Sequence, residues 1–94
     1  MIRHYYAVAE RGEGHTWWLS FPGRDGLVSI ATDADHIVSQ AQDALASVCL
    51  YPPAVLPPAI EDGAPLPTDL SGYDSSAFVV VIPFVRTQEG KAAA

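Results

Sequence analysis

The sequence predicts an α+β domain with the element order β-β-β-α-β. A three-stranded antiparallel meander carries one helix on one face, and a last strand runs parallel to one of the first three. Three observations lead there. Residues 32–49 are the only stretch with a helical period, residues 2–21 hold two aromatic, β-rich runs around a Gly-containing turn, and residues 77–85 form a nearly unbroken apolar run.

The first strand is Ile2 to Glu10, the turn Arg11-Gly12-Glu13-Gly14, and the second strand His15 to Phe21. A four-residue turn sets Glu10 opposite His15, Val8 opposite Trp17, Tyr6 opposite Leu19 and His4 opposite Phe21. That set is the expected core face, under the helix. The other face then carries Tyr5, Ala7, Ala9, Trp18 and Ser20, and a one-residue slip would exchange the two faces. Tyr5, Trp18 and Ser20 are the expected partner-binding residues, because aromatic side chains left on an uncovered face mark contact surfaces. Otherwise Trp18 and Tyr5 simply cover that face.

Pro22 to Gly26 reads as a loop and Leu27 to Ala31 as a third strand, with Val28 and Ile30 pointing one way. In the helix that follows, Ala34, Ile37, Val38, Ala41, Ala44, Leu45, Val48 and Cys49 fall on one arc at 100° per residue, and polar residues fill the other, with Ala46 the one apolar residue among them. Thr32 or Asp33 is the expected N-cap, and Asp33 and Asp35 complement the helix dipole. Pro52-Pro53 stops the helix near Cys49 to Tyr51. Six of the eight prolines lie between Pro52 and Pro67, an irregular connection. The continuous apolar run of the last strand calls for cover on both faces or a place inside the sheet, while Pro83 places its end free or at an edge. Residues 1–86 read as a single domain and 87–94 as a loose tail.

Composition narrows the function. The chain has 94 residues, 49% of them hydrophobic and 17% charged, enough for a single core burying roughly 60–70% of the unfolded surface. No apolar run approaches the roughly 20 residues that cross a bilayer, and no signal-peptide pattern opens the chain. A cytoplasmic protein without membrane contact is the default expectation. The lone Cys49 lies on the apolar arc as a reduced thiol. The net charge is −6 and the five basic residues are scattered, so direct nucleic-acid binding by this chain is not expected. An acidic surface suits a basic partner, or merely keeps a small domain in solution.

Nothing in the residue pattern builds a catalytic site, a cofactor site or a metal site. His4, His15 and His36 lack ligand spacing, although His15 could pair with Glu10 across the hairpin. The carboxylates sit at turns and at the helix start, where turn and cap chemistry accounts for them. Gly12-x-Gly14 is a turn without the helix or the Lys-Ser/Thr of a phosphate loop. The chain reads as a binding module, not an enzyme.

Several short motifs occur in a telling order: Tyr5-Tyr6-Ala7-Val8, the hairpin glycines Gly12 and Gly14, Trp18-Leu19-Ser20-Phe21-Pro22, Gly26, Ala41, Ala44 and Leu45 on the helix, Asp62-Gly63-Ala64-Pro65-Leu66-Pro67, and Phe78 to Ile82. Over residues 2–85 this resembles the N-terminal domain of HicB-type antitoxins. The resemblance implies a partial ribonuclease-H-like fold without nuclease activity. It also implies a small basic ribonuclease toxin as partner, bound and masked in a type II toxin–antitoxin pair. Relatives commonly add a C-terminal DNA-binding segment. This chain stops soon after its last strand, so none is expected here. The usual acidic helix start with its Glu-Ala pair is replaced by Asp35-His36-Ile37-Val38. The alternative is a solitary structural or assembly module without a toxin, a homodimer formed through its sheet. A vestigial nuclease is a third reading, and would require clustered carboxylates and a divalent metal.

Overall fold

The computed structural model describes residues 1–85; Arg86 and the expected tail, 87–94, lie outside the described residues. Four strands, β1 (Ile2–Arg11), β2 (Trp17–Ser20), β3 (Val28–Ala31) and β4 (Phe78–Val85), form one sheet in the order β3-β2-β1-β4. Helix α1 (Ile37–Leu50), entered through a 3-10 turn at Ala34–His36, lies on one face. The α+β class and the β-β-β-α-β order are those the sequence predicts. No helix among the described residues is long and apolar enough to cross a membrane.

One feature of the topology differs from expectation. β4 pairs with β1 antiparallel, from Ile2↔Val85 to Ala9↔Phe78; it runs in the same direction as β2, but it is not hydrogen-bonded in parallel to any of the first three strands. The reason lies in the connection after the helix. A second 3-10 turn, Ile60–Asp62, packs beside the start of β1. From there the chain climbs to the other end of β1, where Asp74 and Ser76 meet Glu10 and Arg11. Residues 63–77 can span about 45 Å when extended, and the ten residues of β1 need only about 33 Å. The chain therefore crosses the sheet twice between α1 and β4, and the second crossing reverses the direction a lone crossover helix would have set.

The hairpin register also differs. Arg11 pairs with Trp17, Glu10 with Trp18, Ala9 with Leu19 and Val8 with Ser20. β1 runs one residue further than expected, and the loop is the five residues Gly12–Thr16. Gly12 N–H donates to Thr16 C=O at 3.0 Å, and the Thr16 hydroxyl donates to Glu13 C=O at 2.7 Å. The pairing is offset by an odd number of residues, which moves every β1 side chain to the opposite face. Tyr5, Ala7 and Ala9 face the helix and join Leu19, Phe21, Ala31, Ile82, Phe84, Ile37, Ala41 and Leu45 in the core. Tyr5 meets Phe84 edge-on at 6.3 Å, and Trp17 meets Phe78 at 5.3 Å. His15 does not pair with Glu10, whose carboxylate instead accepts the Asp74 N–H at 2.8 Å.

The helix buries Ile37, Ala41 and Leu45 on that core, with Ala44 and Cys49 partly buried beside them. It ends at Leu50, with Tyr51 extended ahead of the prolines. Asp33 stands in the N-cap position, but its carboxylate pairs with the His36 ring at 2.6 Å and caps no amide. β4 lies at an edge of the sheet, as Pro83 indicated. Its apolar run is nevertheless incompletely covered, since Phe78, Val81 and Val85 are exposed.

Candidate interaction surface

The sheet has two unlike faces. Strand alternation puts His4, Tyr6, Val8 and Glu10 of β1, Trp18 and Ser20 of β2, Val28 and Ile30 of β3, and Val79 and Val81 of β4 on the face away from α1. The long connection lies along part of this face. Glu61 holds His4, Ala64 and Pro65 stand beside Tyr6 in a shared crevice, and Asp74 holds Glu10. Val8, between Tyr6 and Glu10, is fully buried although it is no member of the helix-side core. The chain thus covers its own β1 from both sides.

Among the described residues, nothing covers β2 and β3 on this face. Trp18 is 47% exposed, Val28 58% and Ile30 44%. Trp18 and Ile30 are directly opposed, as are Ser20 and Val28. The two strands, Trp-Trp-Leu-Ser and Val-Ser-Ile-Ala, contain no charged residue. Trp18 and Ser20 therefore lie where the sequence places them, on the face opposite the helix. Tyr5 does not: it is 4% exposed, inside the helix-side core, because the hairpin offset turns it inward. Val28 and Ile30 join the surface in its stead. The Ser20 Oγ is buried there without a hydrogen-bond partner among the described residues.

Gly12 belongs to this surface too, although the sequence marks it only as a turn residue. A methyl group on its Cα would stand 2.6 Å from Trp18 Cδ1 and Nε1 and 2.6 Å from Thr16 Oγ1. The hairpin backbone and the indole edge are in contact because no side chain separates them.

The ionisable groups are organised as clasps. His4 N–H donates to Glu61 Oε1 at 2.9 Å, the His4 ring lies 2.5 Å from Oε2, and Arg3 pairs with Glu61 and Asp62. The His4 ring, then its backbone amide, hold the Glu61 carboxyl down to about 2. The Asp33–His36 pair lowers the aspartate and raises the histidine, in each case chiefly through their shared hydrogen bond. Asp69 and Asp74 are lowered by the Ser71 and Ser76 groups that donate to them. Glu61 ties the connection to β1, whereas Asp33, Asp69 and Asp74 close local turns.

A groove of about 810 Å³ opens beside the start of β1, lined by Tyr5, Arg3, Asp62 and the 54–59 segment. Its charged groups are engaged with one another. Among the described residues no three His, Cys, Asp or Glu side chains come together in a way that could hold a metal ion. No family model, curated protein or solved structure matches this chain.

Proposed function

We propose that the chain is a non-catalytic protein-binding module, antitoxin-like, that masks a small basic ribonuclease of a toxin–antitoxin pair. The observation that carries this reading is the exposed, uncharged Trp18–Ile30–Val28 surface on a domain of net charge −6. An apolar centre with a tryptophan supplies affinity, and the net negative charge of the chain speeds encounter with a cationic partner. The motif order read from the sequence supports the same class of partner.

The test is coexpression with the product of an adjacent short basic reading frame. Growth is rescued, and the two proteins copurify. Truncating the tryptophan and the isoleucine together, W18S with I30S, weakens binding about 30-fold or more, the effect of removing a hot spot worth about 2 kcal/mol. Absence of both rescue and copurification refutes the reading.

The lack of charge on β2 and β3 also favours a second reading, self-association. Two copies could bring these strands together around a twofold axis without apposing like charges in that patch. Light scattering separates the readings. A stable homodimer that W18S dissolves, with no basic partner, supports the second.

A further inference from the structure

We propose that Gln40 and Gln42 guard the two edges of the sheet, closing β3 and β4 to strand addition by another chain. Gln40 Nε2 donates to the Ile30 C=O at 2.9 Å, and Gln42 Nε2 donates to the Pro83 C=O at 2.7 Å. Ile30 is on one edge strand and Pro83 is on the other.

Both carbonyls point out of the sheet. His4 N–H is taken by Glu61, and Arg11 N–H by Ser76. Hence the even residues of β1 turn their backbone groups toward β2 and the odd ones toward β4. Across the register, Phe78, Val80, Ile82 and Phe84 bond to β1, while Val79, Val81, Pro83 and Val85 point outward. The same alternation through β2 leaves Val28 and Ile30 outward on β3. These are the groups an added strand would pair with.

The helix reaches both edges through simple geometry. Gln40 and Gln42 flank Ala41, which is fully buried against the sheet. Residues on either side of a downward-facing position project about 100° to left and right of it. With strands 4.7–4.9 Å apart, each edge of a four-stranded sheet lies about 7 Å from the midline. Glutamines rising from a helix seated close on Ala41 can span that gap. The guards add to other devices, since β3 is only four residues long and Pro83 lacks an N–H. Partners are consequently directed away from the edges.

The test uses Gln40→Met, which keeps the side-chain size and removes the donor. Light scattering over a concentration series shows a dimer forming at least tenfold more tightly than in the wild-type chain. In hydrogen exchange, the Val28 and Ile30 amides gain at least tenfold protection at concentrations that populate the dimer. Gln40→Lys, which retains a donor, behaves as wild type. The β4 edge provides an independent arm should Gln40→Met misfold by circular dichroism: Q42M with P83V protects the Val79 and Val81 amides in the same way. Folded variants with wild-type association and wild-type exchange at these amides overturn the proposal. So does association that Trp18→Ser abolishes without any amide protection, because that would be contact through the side-chain face.

Discussion

Replacing Gly12 by alanine tests whether the hairpin loop is shaped around Trp18. The added methyl would stand 2.6 Å from two atoms of the indole and from the Thr16 hydroxyl. Carbon contacts settle at about 3.5–4.0 Å, so the neighbours must retreat by about 1 Å. Overpacking of this kind costs about 1–3 kcal/mol. Trp18 is half exposed and can swing toward solvent, which places the expected loss in the lower part of that range, about 1–2 kcal/mol. For a domain of this size that is a fall in Tm of roughly 4–16 °C. Thermal and urea unfolding measure the loss, and the Trp18 indole N–H resonance reports the displacement. A double-mutant cycle apportions it: with Trp18→Ala in the background, the Gly12→Ala penalty shrinks by about 1 kcal/mol. A penalty within about 0.5 kcal/mol of zero, with the indole resonance unmoved, would refute the reasoning.

Two further outcomes follow from the packing and the clasps. Leu45 is fully buried between helix and sheet, so Leu45→Ala costs about 2–5 kcal/mol in urea unfolding, whereas Val38→Ala, on the exposed flank, stays near zero; equal losses would place the helix contact elsewhere. Glu61 titrates at about 2 in the folded chain and near 4.5 when unfolded. Its stabilising contribution is therefore complete above pH 4.5 and drains away as pH falls toward 2, and Glu61→Gln flattens the pH dependence of unfolding in that window; an unchanged acid profile would remove Glu61 from the clasp.

The elements were legible because their signals are local. The arc through Ile37, Ala41 and Leu45 locates the helix, and Pro52-Pro53 ends it. Val28 and Ile30 emerge on one exposed side, as their alternation requires. Pairing was less legible because it depends on counts and distant contacts. One further β1 residue, Arg11, and a five-residue loop reverse the faces of β1, and β-propensity does not distinguish Tyr5 from Tyr6 as the inward tyrosine. β4 reads as pairing in parallel only if the helix is the sole crossing, and the contacts of Glu61, Asp74 and Ser76 that reveal a second crossing span more than fifty residues. Gln40 and Gln42 could have been noticed as two amides bracketing a core alanine. Their targets, though, become visible only once the strand order is known. Gly12 carried no signal beyond that of a turn.

β1, one of the two interior strands, is also the first of the four to be made. β1 acquires its β4 neighbour only when residues 78–85 exist. At a synthesis rate of 5–20 residues per second, the interval from Arg11 to Val85 is roughly 4–15 s. Throughout it, a ten-residue strand with Tyr5, Ala7 and Ala9 on one side has a bare flank, the condition that invites promiscuous pairing on the ribosome. Until residues 78–85 emerge, no other described strand pairs with that flank.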